Sequence, residues 1–273
     1  MPRTIQTGTE ELTAVVEGGV AVLTMNRPDR RNAMSTDMLV GMRAALADVE
    51  TASDVRCVVL TGAGGAFCAG GDVKGFAEGS ASTGPLSFDE RVHNQRLDQR
   101  ETSGALHRMP KPTLAVLPGP AAGAGLSLAL ACDLRVAVNT AVLTTAFARV
   151  GFSGDYGGGW FLTQLVGPAK AKELYFLPER IEAAEALRLG LLNHVFATDD
   201  FEAGWRSLAA RLAAGPAIAY RYMKENINRA HDHDLFDYMD AEVVHHLRCG
   251  QTEDHLEASK AFVEKREPVF KGR

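Results

Sequence analysis

Apolar positions alternate through LTAVVEGGVAVLTMN (residues 12–26) on both sides of Glu17-Gly18-Gly19. Alternation broken by glycine predicts two strands joined as a hairpin. After the polar stretch RPDRRNAMS, Met38, Leu39, Met42, Ala45, Leu46 and Val49 recur at helical spacing, and Ser35 stands where it can cap a helix over 36–52. VRCVVLTG (55–62) is a short unbroken apolar run ending in glycine, which suits a buried strand. Residues 75–90 are rich in Gly, Ser and Pro and read as a mobile insertion outside the core. A helix is predicted after them, ending near Met109-Pro110. TLAVL (113–117) and DLRVAV (133–138) are further strands, with PGPAAGAGLSLALAC leading from the first into a helix of small residues.

This alternation of strand and helix predicts an α/β fold with parallel pairing and right-handed crossovers. Beyond residue 157 the pattern turns mainly helical. LVGPAKAKELYF carries a Gly-Pro break before a helix, and NHVF (193–196) is one last short strand. Three or four helices are expected between 199 and 266, separated by Gly215-Pro216, His231–Asp234 and Gly250. The expected organisation is therefore a core over 1–198 and a helical region over 199–273. No internal repeat or heptad run interrupts it.

Composition narrows the function classes. With 29 basic and 34 acidic residues the net charge is −5, which argues against a nucleic-acid footprint but leaves single basic residues free to bind a phosphorylated small molecule. No stretch reaches the roughly 18 apolar residues of a membrane span. The N-terminal residues lack the apolar segment of a secretory signal. Cys57, Cys68, Cys132 and Cys249 show no CxxC spacing and read as reduced thiols, so a cytoplasmic location is expected.

Two glycine clusters carry candidate chemistry. TGAGGAFCAGGDVK (61–74) and GPAAGAGLSLALACD (119–133) each follow a strand, where ligands of such sheets bind and helix N-termini present free N–H groups. Neither is a dinucleotide fingerprint: the third glycine position holds Phe67 in one and Leu128 in the other, and no acidic residue follows at the required distance. No GK[ST] completes a phosphate-binding loop. Two tight strand-to-helix turns are the competing reading. A third stretch, GFSGDYGGGW (151–160), places Asp155 among glycines, as a helix N-cap or as a base. The histidines of HDHD (231–234) and His245-His246 lack metal-ligand spacing, so no metal site is expected. Cys68 has no histidine evidently placed to activate it and reads as a packed thiol.

Four segments, NRPDRRNAMS, VVLTGAGGAFCAGGD, GPAAGAGLSLALACD and the tail AFVEKREPVFKGR, together resemble the enoyl-CoA hydratase/isomerase (crotonase) superfamily, in order and with matching spacing from about residue 12 onward. The resemblance implies a spiral of ββα turns, C-terminal helices used in trimerisation and hence a homotrimer or hexamer. It implies an acyl-CoA thioester as substrate, no separate cofactor, and an enolate held by two backbone N–H groups. By position these donors fall on Gly71 and Ala124. The same resemblance puts Arg27, Arg31, Ala33, Ala69 and Lys74 along the CoA path, and Phe262 and Lys265 in a tail that can reach a neighbouring subunit's CoA. A solvated surface charge is the competing reading of each basic residue.

The chain departs from the hydratase pattern at both water-handling glutamates, where Ser127 and Phe147 stand instead. At Asp155 the hydratases have glycine, whereas several isomerases of the family have an acidic residue in a GLxPDxGG form that FSGDYGGGW resembles. Ring-epoxide isomerases of phenylacetate breakdown and dienoyl-CoA isomerases share it, and a related dehalogenase uses an aspartate there as nucleophile. The expected activity is an enoyl-CoA isomerase with Asp155 as proton shuttle, its pKa raised by burial beside Phe147, Tyr156 and Trp160. The alternatives are a hydratase or acyl-CoA hydrolase using Asp155, or a CoA-binding protein without turnover. Asp72 is expected to cap a following helix and Asp133 to pair with Arg135. Glu78 and Asp89 flank the insertion, and Phe76, Phe88 and Tyr156 are candidates for shaping the acyl pocket.

Overall fold

The computed structural model describes residues 2–72 and 86–273. A β-hairpin opens the chain, with β2 (Leu12–Glu17) and β3 (Val20–Met25) joined at Gly18 and Gly19, whose φ values of 57° and 82° suit glycine. Leu12, Ala14 and Val16 of β2 face inward and the residues between them face out. A first short strand, β1 (Arg3–Ile5), pairs antiparallel with β2. The helix α1 (Thr36–Thr51) then crosses over to β4 (Cys57–Gly62), which lies parallel to β3. The Ser35 hydroxyl accepts from the Met38 N–H at 3.1 Å, and Met38, Met42, Ala45, Leu46 and Val49 form the buried face.

Three further parallel strands, β5 (Thr113–Leu117), β7 (Leu134–Val138) and β10 (His194–Phe196), complete a seven-stranded sheet in the order β1-β2-β3-β4-β5-β7-β10. Every residue of β5 is buried, which explains its unbroken apolar run. A second sheet is made of β6 (Ala121–Ala122), β8 (Val142–Thr144) and β9 (Ile181–Glu182). Its strands are too short to carry a readable alternation.

Between β4 and β5 stand α2 (Phe88–Glu101) and α3 (Ser103–Arg108), split at Thr102. The first starts inside the stretch read as an insertion, because Ser87 and Glu90 form a reciprocal capping box. The rest of that stretch, with Phe76 and Glu78, lies outside the described residues. The wholly buried α4 (Ala124–Ala131) follows β6. In α5 (Gly158–Phe176) the helix is interrupted at Gly167 (φ 75°, ψ 162°) and resumes at Pro168, the predicted break. α6 (Ala183–Arg188) leads to β10.

Four helices end the chain: α7 (Phe201–Ala214), α8 (Ala217–Arg229), α9 (Leu235–Cys249) and α10 (Glu253–Glu264). Trp205, Ala209 and Ala213 of α7 join the core beneath the large sheet. The tail is tied down where Asp254 accepts from the backbone N–H groups of Lys271 and Gly272 at 2.6 and 2.9 Å. Among the described residues no helix is long and apolar enough to cross a membrane.

Candidate active site

The two glycine clusters are pressed together backbone to backbone. Phe67 N–H donates to the Pro120 carbonyl at 3.0 Å, and Ala122 N–H donates to the Cys68 carbonyl at 2.9 Å. Gly70 has φ 90°, and a Cβ there would lie 2.8 Å from the Ala122 carbonyl oxygen and 3.3 Å from the Ala124 nitrogen. Only glycine allows this approach. Both expected donors adjoin this contact, Gly71 as the next residue and Ala124 as the one whose nitrogen Gly70 approaches. Neither N–H donates to an acceptor among the described residues. Ala124 opens α4, so its N–H has no acceptor within the helix.

Asn32 buttresses this arrangement from the loop after β3. It is fully buried with φ 56°. Its Oδ1 accepts from Arg27 N–H at 2.9 Å, while its Nδ2 donates to the carbonyls of Ala63 and Ala66 at 2.9 and 2.8 Å. Met34 N–H donates to the Gly70 carbonyl at 2.8 Å, and Ala69 N–H to the Arg31 carbonyl at 3.0 Å. Sequence reasoning missed Asn32. Its buried polar side chain binding two loops would have been visible only with the loops in place.

Asp155 sits in a turn of left-handed residues, Gly154 (φ 109°), Tyr156 (φ 50°) and Gly157 (φ 74°). A non-glycine residue there costs about 1–2 kcal/mol. α2 holds it in place, since Gln99 Oε1 accepts from Tyr156 N–H at 3.0 Å and Gln95 hydrogen-bonds the Tyr156 phenol. The capping alternative fails. Gly157 is the N-cap of α5 and no side chain caps that end. The Asp155 carbonyl accepts from Gly158 N–H at 3.0 Å, but its carboxyl Oδ1 is buried without a partner. Burial pushes this carboxyl up to about 6.

The neighbours of the carboxyl differ in part from expectation. Tyr156 is buried beside it, and its charge is felt at Cys68, Tyr156 and Tyr175. Phe147 is buried and stacks on the Tyr175 ring, with centroids 5.7 Å apart. Trp160 points elsewhere, edge-on to His107, Phe161 and His231, because it lies two residues into α5 on its outer side. Tyr175, near the far end of α5, was not foreseen. Only the kink at Gly167 and the packing of α5 on α4 show it to be a site residue.

The remaining candidates sort plainly. Ser127 is buried on α4, and a Cβ on Gly158 would overlap its hydroxyl. Burial pushes the Cys68 thiol up to about 12, so it stays protonated and unreactive. Arg27 is held by Glu11 at 3.2 Å, by Asp72 at 3.3 Å and by the Ala33 carbonyl at 2.6 Å. Asp72 is thus an ion-pair partner, and the segment it was expected to cap lies outside the described residues, as does Lys74. Arg31 and Ala69 are exposed at the same rim, and Ala33 is buried. Phe88 and Asp89 are exposed in the first turn of α2. Phe262 on α10 and Lys265 just after it are exposed, and among the described residues no hydrogen bond or ion pair joins them to Asp155.

The expected Asp133–Arg135 pair does not form. Asp133 instead binds Lys224 at 2.9 Å and Thr113, because Lys224 of α8 and Thr113 of the neighbouring strand β5 take its carboxylate. Arg135 turns inward and donates to the carbonyls of Leu191 and Cys132. The Lys224 pair lines a cavity of about 350 Å³ with His107, Trp160, Phe161 and His231. That cavity contains none of Asp155, Gly71 or Ala124. Its ionic groups satisfy each other, whereas the unpartnered Asp155 Oδ1 and the N–H groups of Gly71 and Ala124 lie outside it.

The family model described as enoyl-CoA hydratase/isomerase matches residues 16–273. The chain belongs to the enoyl-CoA hydratase/isomerase family. Its fold is the α/β crotonase fold with a C-terminal helical region. An enoyl-CoA hydratase structure from Polaromonas sp. JS666 matches with a TM-score of 0.88 and 32% identity, covering 95% of this chain and 99% of that one. The 1,2-epoxyphenylacetyl-CoA isomerase of Escherichia coli is 34% identical, over 94% of this chain and 97% of its own length. The short-chain-enoyl-CoA hydratase of Clostridium acetobutylicum is also 34% identical, over 94% and 96%. Equal likeness to an isomerase and a hydratase leaves the reaction to be argued from the residues of this enoyl-CoA hydratase/isomerase family site.

Proposed function

We propose that this protein isomerises an acyl-CoA thioester by a 1,3-proton shift, with Asp155 as the single acid–base group. Asp155 takes a proton from the carbon α to the thioester, and the C–H electron pair moves toward the carbonyl. The resulting oxyanion rests on the N–H groups of Gly71 and Ala124. Asp155 then returns the proton at the γ carbon and the double bond ends conjugated to the thioester. A carboxyl near pKa 6 suits both steps, since a base that must also give its proton back works best near the operating pH. The exposed Arg31, with Arg27, Ala33, Ala69 and Lys74, would line the CoA path, and Phe262 and Lys265 would serve a neighbouring subunit. The exposed apolar residues Phe236, Met239, Val243 and Leu247 of α9 support a homotrimer or a hexamer built from trimers.

The observation that carries this reading is the buried, unpartnered Asp155 carboxyl at a site where Ser127 and Phe147 occupy the water-handling positions. The test is double-bond migration and deuterium exchange on a 3-enoyl-CoA, for wild type and Asp155→Asn. Migration lost in the variant, with CoA binding kept, is expected. Equal rates in both would end the proposal. Hydration is the competing activity that the name of the Clostridium relative suggests, and turnover of a 2-enoyl-CoA with water would favour it.

A further inference from the structure

The glycines around Asp155 make room for one phenol. A Cβ on Gly154 would lie 2.9 Å from the Tyr175 ring and 3.3 Å from its hydroxyl. A Cβ on Gly158 would lie 2.9 Å from that hydroxyl, and one on Gly159 would lie 3.5 Å from it. Three glycines bracketing Asp155 thus bare the backbone to the same oxygen. Phe147 stacks on the ring, and the Thr145 hydroxyl donates to the Leu174 carbonyl at 2.7 Å, fixing the backbone one residue before Tyr175.

Three proton-bearing side chains lie within reach of the Asp155 charge: Cys68 from the first glycine cluster, Tyr156 from the turn itself, and Tyr175 from α5, whose hydroxyl the glycines of that turn make room for. Two of them are engaged. The Cys68 thiol donates to the Asn32 carbonyl at 3.0 Å, and the Tyr156 phenol is bonded to Gln95. Among the described residues the Tyr175 hydroxyl has no partner, and no basic side chain faces the carboxyl. Ser127, from α4, presents a neutral hydroxyl to the same space.

We infer that Tyr175 is a positioning residue for Asp155: its phenol donates to the buried Oδ1 once the carboxylate is ionised, leaving Oδ2 to carry the substrate proton. This deepens the proposed isomerisation and rests on Asp155 being its base. Tyr175 is itself pushed up to about 12 by burial and by Asp155, so it keeps the proton it donates across the working range. A hydrogen bond to one oxygen fixes the plane of the carboxylate, and proton transfer between two carbons requires that plane to be held.

The test is a direct titration of the Asp155 carboxyl carbon by NMR in the full-length protein, for wild type and Tyr175→Phe, which keeps the ring and its stack on Phe147. Loss of the donor removes a bond made only to the charged form, so the midpoint rises by about one pKa unit in Tyr175→Phe. In turnover, kcat falls about tenfold, KM changes less than twofold, and the acid limb moves the same way. A 3-fluorotyrosine at position 175, a stronger donor of nearly the same size, lowers the midpoint instead and answers the question should Tyr175→Phe fold poorly. Coincident midpoints would overturn the inference, as would a fall in kcat with an unmoved midpoint. Asp155→Asn separates the two readings. An active Asp155→Asn sinks the base while leaving a Tyr175-dependent midpoint intact. An inactive one with coincident midpoints sinks the positioning role alone.

Discussion

Removing the Asp155 carboxyl should make the protein more stable, and only above a particular pH. Asp155 is raised from 3.8 to about 6 by burial, with no partner offsetting the cost. The folded chain therefore holds this proton more tightly than the unfolded chain does. Its contribution to stability is fully present below pH 3.8 and is lost as pH rises through about 6. Two units correspond to a ceiling of about 3 kcal/mol at pH 8. The carboxyl keeps some solvent contact, so ~1–2 kcal/mol is the expected penalty after screening. Asn has the same shape and no charge to desolvate. Urea unfolding of wild type and Asp155→Asn between pH 4 and 8 measures the effect. The two should coincide near pH 4, diverge between 4 and 6, and hold a constant gap above that, with the variant more stable. A gap independent of pH, or a variant less stable at pH 8, would refute the account of a desolvated carboxyl.

Four further outcomes follow from the same coordinates. Ala124→Pro removes one proposed oxyanion donor at the first position of α4, where proline is tolerated, so isomerisation should fall about 10²–10³-fold with the helical circular dichroism retained. Gly158→Ala forces a methyl onto the Ser127 hydroxyl and should cost about 1–3 kcal/mol, much of it recovered by adding Ser127→Gly, as a double-mutant cycle would show. Lys224→Ala strands Asp133 and the carbonyls of Leu106 and Lys111, lowering stability by about 2–4 kcal/mol in denaturant titrations. Ser127→Glu should not create a hydratase: the side chain has no room against Gly158, so unfolding measurements should show destabilisation and a 2-enoyl-CoA should not take up water.

Local pattern predicted whatever local pattern determines. The hairpin, α1 with its Ser35 cap, β4, β5 and the Gly167-Pro168 break all stand where alternation, helical spacing and breakers put them. The second sheet was not foreseen because β6 and β9 have two residues each and exist through pairing with distant segments. The errors at the site have one cause. Asp133 was assigned to Arg135 from adjacency, yet a helix 91 residues away brings Lys224 to its carboxylate, while Arg135 turns inward to backbone carbonyls. Tyr175 lies 20 positions beyond Asp155, and its approach to the glycines of that turn appears only in the folded chain. Asp155 itself was legible as a candidate base, with a helix cap as the competing reading. The structure removes the cap, because Gly157 is the N-cap, a fact about the turn's dihedral angles that composition does not encode.

Among the described residues, the physical logic of the proposed site rests on having one carboxyl rather than two. A water-adding site needs a pair of carboxylates around a water, and each raises the other's pKa by like-charge repulsion. Here α5 begins so close to α4 that Ser127 is the size the gap allows, and Phe147 fills the second position with a ring that supports Tyr175. With no water-holding partner, the remaining carboxyl has only desolvation acting on it, which leaves it near 6. Such a group is half ionised near pH 6, which suits the proposed removal and return of one proton without a second acid. The left-handed turn that presents it is the backbone conformation needed to aim a side chain from the residue between two glycine-permitted reversals. Glycine at 154, 158 and 159 then serves the phenol above the turn. The looseness of GFSGDYGGGW in sequence is therefore tight packing in space, with the missing side chains leaving the volume that Tyr175, Phe161 and Ser127 occupy.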